Sequence, residues 1–209
     1  MEQYIKANLI KADLVEIDKK FSENSPLKDM SNMLFIKHTF LTVANFVDFE
    51  LTIREIYKNH SELSKQYKKH SQEYDFAKYL RNKFVGHIKS ELIEKAIEWR
   101  PELRYTLQRV DEDDIMFVFN IFILETAINT YVDSEGKHKI FDYGDTDLIY
   151  PPDLKAFMIF LTNIIRSAIS YLTELSYILK QDIDILDPKE QNIEHWISAG
   201  KTEFKFIKK

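Results

Sequence analysis

The chain has 209 residues, a formal net charge of −5 and no cysteine. Its length suits one well-packed core. The acidic balance argues against a globally basic nucleic-acid binder, and the lack of cysteine excludes disulfides, thiolate metal sites and a cysteine nucleophile. Only four glycines and five prolines are available for tight turns, which favours long helices over a sandwich or barrel of short strands.

Two long helices are predicted in the first sixty residues. The first runs from about Gln3 to Phe21, and the second from Leu27 to about Asn59. Additional phenylalanines widen the apolar stripe of the second helix, so we expect it to be buried on two sides. The stripe of the first helix recurs at helical spacing and consists of Ile5, Leu9, Leu14, Ile17 and Phe21.

The middle of the chain predicts a polar linker and two more helices. Residues 61–75, SELSKQYKKHSQEYD, are expected to bridge to a third helix over about Phe76–Trp99, which ends before Pro101. Ile115–Leu124 is compatible with a buried strand, but the polar residues that follow have helical spacing, so we predict a fourth helix there. The stripe of the third helix returns every fourth residue: Phe76, Leu80, Phe84, Ile88, Leu92 and Ala96.

Residues 133–150 break the helical pattern, and the turn signal Asp133–Gly136 is compatible with a short hairpin. Pro151 then opens a last long helix to about Lys180, with an apolar stripe at heptad-like spacing. Together these segments predict an all-α fold, in which residues 1–209 form a single domain. It would be a bundle of about five long helices, with room for a small β-hairpin between the fourth and the fifth.

The chain shows no sign of secretion or membrane insertion at the sequence level. Its N-terminus carries charges throughout and lacks a continuous apolar core. The most apolar windows, Ile115–Leu124 and Ala156–Ile165, are about ten residues each, too short to span a bilayer. We therefore expect a soluble, cytoplasmic protein without a membrane partner.

Positive charge is concentrated in one segment. Residues 54–89 hold nine Lys and Arg against four Asp and Glu, a local charge of +5 that leaves −10 for the rest of the chain. A basic segment on an acidic body can localise a polyanion. Just before it, Asp48 and Glu50 are charges in an apolar run, and they would either pair with an arginine such as Arg81 or point outward.

Within this basic segment, the stretch YLRNKFVGHI places several chemically useful side chains close together. On one continuous α-helix Arg81 and His87 would diverge by roughly 120°, whereas Lys83 and His87 would share a face. One copy would then not enclose a substrate atom with Arg81, Asn82 and His87, but a symmetric dimer would bring two sets into a shared cleft. Gly86 would permit close approach of a partner backbone or a phosphate.

These residue types suit RNA cleavage without a metal ion. Histidine exchanges protons near neutral pH, and arginine presents a planar fork to phosphate oxygens. Two histidines that face one RNA phosphate would deprotonate the 2′-hydroxyl and protonate the leaving 5′-oxygen. No His or carboxylate spacing elsewhere in the sequence is typical of a metal site, so we expect neither a metal nor a cofactor.

The stretch from Arg81 to His87 resembles the signature of HEPN domains (higher eukaryotes and prokaryotes nucleotide-binding). That signature is an arginine, a polar residue and a histidine, with four to six residues between arginine and histidine; this chain has five. The resemblance implies a helical bundle, a symmetric dimer with a composite cleft and, in catalytic members, metal-independent RNase activity. It carries over to Arg81, Asn82 and His87. Position 89 is lysine where one subgroup has tyrosine, so that subgroup's antitoxin control does not carry over.

The sequence thus predicts a metal-independent endoribonuclease of the HEPN type that acts as a toxin or phage-defence effector. Arg81 and His87 would be catalytic, and Asn82 and Lys83 would bind substrate. The expected partners are RNA, a second copy of the chain and an antitoxin protein. The alternative is a non-catalytic helical module that binds a nucleotide, RNA or a protein partner through the same residues.

Overall fold

The structure is a computed structural model, and it describes residues 1–23, 27, 30–109, 113–141, 144–183 and 193–201. Within these ranges it contains nine α-helices and no strand, which confirms the all-α prediction. The helices are α1 (Glu2–Glu23), α2 (Met30–Ile53), α3 (Ser61–Lys68), α4 (Ser71–Leu80), α5 (Ser90–Trp99), α6 (Leu103–Thr106), α7 (Asp113–Asn129), α8 (Pro151–Gln181) and α9 (Ile193–Gly200).

The centre of the bundle is formed by α1, α2 and α8. Helix α1 packs along α8, and α2 lies against both. On the rim of this contact, Arg166 donates to Asp18 at 3.0 Å. The predicted stripe of α8 is confirmed, since its central members are fully buried: Phe157, Leu161, Ile164, Ala168, Leu172 and Leu175.

The predicted stripe of α1 is wrong in its first half. Ile5 and Leu9 are exposed. The buried residues of α1 are instead Ala7 and Ile10, followed by Leu14 and Ile17 as predicted. The face that packs against α8 therefore runs through Ala7, whose small side chain lets the two helices approach closely. Apolar residues outside that face stay at the surface, which is common in folded proteins.

Helix α8 is the only described helix that is long and apolar enough, by length and composition, to cross a membrane. The window Ala156–Ile165 is thus part of a longer apolar stretch. A core helix of a soluble protein meets the same description, and α8 buries its apolar face against the other helices of the bundle.

The polar segment 61–75 is not a linker but contains α3 and the first half of α4. Its few apolar side chains are all used for packing, since Leu63, Tyr67 and Tyr74 are buried. Tyr74 meets Phe46 of α2 edge-on, with ring centroids 5.1 Å apart. Edge-to-face pairs of this kind add to the free energy of burial, so three side chains hold a segment that is otherwise polar.

The predicted hairpin within 133–150 is reduced to one antiparallel bridge between Val132 and His138. Gly136 adopts a φ of 82° at the turn, a conformation that glycine accepts without strain. His138 is buried and stacks on Phe141 at 4.9 Å. Its Nδ1 accepts from the Ile140 and Phe141 N–H groups, so this histidine holds the turn in place. Burial lowers the pKa of His138.

Candidate functional site

The predicted third helix is broken at the residues of interest. Helix α4 ends at Leu80, residues Arg81–Val85 form a π-helical turn, and α5 begins only at Ser90. The wide turn is closed by the Gly86 N–H, which donates to the Arg81 carbonyl oxygen at 2.7 Å, five residues back. A continuous helix over Phe76–Trp99 was therefore wrong, and π-turns within helices are frequent at functional sites.

The break changes the geometry expected from a straight helix. The angle of 120° between Arg81 and His87 and the shared face of Lys83 and His87 both assumed regular α-helix, so neither holds. Ile88 would lie on the buried stripe of such a helix but is 46% exposed. Phe84, by contrast, remains fully buried, so the chain leaves the core between these two residues.

Arg81 is half-buried and is held by its own segment. Its Nη1 donates to the Asn82 side-chain oxygen Oδ1 at 2.9 Å. Its Nε is buried without a hydrogen-bond partner, and no carboxylate of the described residues pairs with its guanidinium. A cation with open hydrogen-bonding positions and no counter-ion is suited to an anionic ligand.

At Gly86 the Arg81 side chain lies against the backbone just before His87. A Cβ atom at this position would lie 3.9 Å from both Cζ and Nε of Arg81, so the guanidinium rests against the chain one residue before His87. His87 is exposed in the non-helical link that connects the π-turn to α5. No hydrogen bond or ion pair joins its side chain to the described residues, so its ring nitrogens are available to a ligand.

A pocket of about 530 Å³, which we call the lysine pocket, lies beside this segment. Three lysines and one glutamate line it, and one of the lysines, Lys95, is paired with Glu98 at 2.9 Å. The Tyr79 and Thr130 hydroxyls in its lining are hydrogen-bonded at 2.9 Å. Lys83 and Lys89 come from the π-turn and the link, so the pocket adjoins the segment of Arg81. Its polar lining consists of Tyr79, Lys83, Lys89, Glu91, Lys95 and Thr130.

The basic segment found in the sequence is only partly a basic surface. Lys78 pairs with Asp48 at 2.6 Å, and Arg54 pairs with the buried Glu50 at 2.9 Å. Glu50 thus pairs with an arginine, as one of the two alternatives expected, but with Arg54 and not Arg81. Asp48 follows the other alternative, since its side chain is 60% exposed. Sequence reasoning also missed Lys95, which lies beyond the segment and joins the pocket through the fold of α5.

No three His, Asp or Glu side chains in the described part of the chain come together as a metal site would require. Comparison with protein-family models, with curated proteins and with solved structures finds no match for this chain. The resemblance to HEPN domains therefore depends on residues 81–87 and their setting in a helical bundle.

Proposed function

We propose that this protein is a metal-independent endoribonuclease of the HEPN type, with Arg81 and His87 as its catalytic residues and Asn82 and Lys83 as substrate-binding residues. One observation carries the proposal most directly. The unpaired Arg81 guanidinium rests against Gly86, next to the exposed His87, and this cluster adjoins the lysine pocket. Phosphate-binding, proton-transferring and polyanion-attracting groups thus come from one short segment, residues 81–89.

In the proposed reaction the 2′-hydroxyl of the RNA attacks the adjacent phosphorus. A neutral His87 takes the 2′-hydroxyl proton as the new O2′–P bond forms. The P–O5′ bond then breaks, and a second, protonated imidazole gives its proton to the leaving 5′-oxygen. The products are a 2′,3′-cyclic phosphate and a 5′-hydroxyl, and Arg81 stabilises the negative charge that develops on the phosphoryl oxygens.

The need for two imidazoles is the reason to propose a homodimer. The π-turn and the link offer only His87 as a proton-transfer group of this kind, so a second copy would supply the other. Action as a toxin or phage-defence effector, control by an antitoxin protein and a cytoplasmic location are parts of the same proposal.

RNA cleavage in excess chelator tests this function. The purified protein should produce fragments that end in 2′,3′-cyclic phosphate. Loss of a catalytic acid or base costs about a hundredfold or more in rate, so His87→Ala should abolish cleavage without unfolding the protein. Arg81→Ala should weaken both binding and turnover. His38→Ala removes an exposed histidine on α2 that lies outside the 81–87 segment, and should leave the rate unchanged.

Two results would contradict this proposal. Intact RNA across several substrates, despite measurable binding, would favour the non-catalytic module that binds RNA through the same residues. If sedimentation shows that the protein is a monomer under conditions in which it cleaves RNA, the RNase proposal stands but the composite cleft is refuted.

A further inference from the structure

A second pocket, of about 460 Å³, lies between the C-terminal ends of α5 and α7 and the segment before α8. We call it the carboxylate pocket. Its volume falls in the range of about 300–1,000 Å³ that is usual for small-molecule sites. The residues that matter for its chemistry are Trp99, Arg100, Glu125, Asp145, Thr146 and Asp147.

The one cation that lines the carboxylate pocket is Arg100, which pairs with the buried Glu125 and also lies 3.7 Å from Asp147 and 3.9 Å from Glu102. The Glu125 side chain is 4% exposed, and its Oε2 accepts from Arg100 Nη2 at 3.3 Å. Its Oε1 accepts from the Leu148 N–H at 2.8 Å. A carboxylate has about four acceptor positions, so Glu125 retains acceptors for a further donor. The Arg100 guanidinium, over the Phe122 ring at 4.9 Å, likewise retains donors.

Two more side chains in this pocket have unused hydrogen-bonding capacity. The Asp145 carboxylate is exposed and forms no hydrogen bond or ion pair with another described residue. Thr146 is 2% exposed, and its hydroxyl has no hydrogen-bond partner among the described residues. A buried hydroxyl without a partner costs free energy, and a ligand in the pocket would offset that cost.

The carboxylate pocket adjoins the lysine pocket along the contact between α5 and α7. Lys95 lines the lysine pocket, and its ammonium lies 5.4 Å from the centroid of the Trp99 ring, which lines the carboxylate pocket. Asn129, the last residue of α7, lines the carboxylate pocket, and Thr130, which follows it, lines the lysine pocket. An RNA strand with one phosphate bound in the lysine pocket would therefore have its next nucleotides close to the carboxylate pocket.

We propose that the carboxylate pocket binds a guanine base of the RNA substrate and so selects where the strand is held. This inference rests on the proposed function. Guanine offers two adjacent donors, N1–H and the N2 amino group, which a carboxylate such as that of the exposed Asp145 accepts together. It also offers the acceptors O6 and N7, which arginine reads. Trp99, 42% exposed, provides a ring on which a base can stack.

The other three bases match this set of groups less well. Adenine and cytosine each place one amino group beside a ring nitrogen acceptor, which a carboxylate repels. Uracil has a single N–H between two acceptors. Only guanine pairs with a carboxylate through two donors while it leaves its oxygen for Arg100.

Mononucleotide binding tests this inference without reference to cleavage. The chain has two tryptophans, so Trp196→Phe leaves Trp99 as the only indole Nε1–H signal in a nitrogen–proton correlation spectrum. GMP should shift that signal and bind about tenfold or more tightly than UMP, AMP or CMP, as one bidentate contact predicts. In the same background Asp145→Asn should remove most of this preference, whereas Glu16→Gln, an exposed acid on α1, should not.

Each outcome of this experiment separates the two proposals. Equal binding of the four nucleotides, or a Trp99 signal that GMP does not move, would overturn the guanine pocket even if RNA is cleaved. An unchanged preference in Asp145→Asn and in Glu125→Gln would overturn it as well. Selective GMP binding in a protein that does not cleave RNA would support the pocket and refute only the RNase. Asp145 is exposed, so its variant remains informative if Glu125→Gln fails to fold.

Discussion

Raising the pH from 5 to 8 should destabilise this protein through Glu125. Burial is the main cause that raises the pKa of this carboxyl group from 4.5 to about 7. The nearby Asp147 raises it further, while the Leu148 N–H and Arg100 lower it. Because the folded state holds the proton more tightly than the unfolded chain, the stabilisation is complete below about pH 4.5 and is lost as the pH rises through 7.

The size of the effect follows from the same numbers. A pKa difference between 4.5 and about 7 corresponds to about 3 kcal/mol at roughly 1.4 kcal/mol per pKa unit. Part of this loss has already occurred at pH 5, and the pocket is open to solvent. We therefore expect the free energy of unfolding to fall by about 2 kcal/mol between pH 5 and pH 8 through this group.

Urea unfolding at several pH values, followed by far-ultraviolet circular dichroism, measures this change, and Glu125→Gln is the matched variant. His138 titrates in the same range with the opposite sign, because its lowered pKa makes stability rise as the pH increases towards 6.5. Since both proteins contain His138, their difference isolates Glu125. Parallel stability profiles for the two proteins between pH 5 and 8 would refute the reasoning.

Two other substitutions test the local geometry. Tyr57→Phe removes a hydroxyl that donates to the buried Glu50 at 2.6 Å. It should cost about 1–3 kcal/mol of unfolding free energy in urea, against no change for Tyr177→Phe, an exposed tyrosine. Gly86→Ala should be tolerated because its Cβ makes ordinary contacts, whereas Gly86→Val should displace the Arg81 guanidinium. RNA cleavage would then fall by about tenfold or more, and equal rates for the two glycine variants would contradict this.

The long helices were predictable because each buries one face. In α8 the stripe from Phe157 to Leu175 follows the helical period, since that face packs against α1 and α2. Helix α3 was not predicted because only Leu63 and Tyr67 are buried in it, and two residues are too few to show a helical period of apolar residues. The π-turn was not predicted for another reason. It is defined by backbone hydrogen bonds such as the one from Gly86 to a carbonyl oxygen five residues back, and such bonds leave no pattern of apolar residues.

The candidate site also has one part that the sequence predicts and another part that only the fold reveals. Arg81 and His87 are near each other in sequence, so their spacing could be recognised without a structure. The carboxylate pocket combines Arg100, Glu125 and Asp145 from three separate segments, and no sequence spacing links them. One signal was present, since Glu125 is an acid in an otherwise apolar helix, but only the fold places its partners beside it.

Lys95 lines the lysine pocket and also lies over Trp99 of the carboxylate pocket, which makes it the test of whether the two pockets hold one strand. If they do, a phosphate near Lys95 and a guanine at Asp145 belong to the same RNA, and their contributions to binding should not be additive. A double-mutant cycle of Lys95→Met and Asp145→Asn should give a coupling of about 0.5 kcal/mol or more for an RNA that contains guanine. The same cycle with an RNA that lacks guanine should give none. Equal coupling for both RNAs would refute the link between Lys95 and a guanine at Asp145, and zero coupling for both would refute a continuous binding groove along α5 and α7.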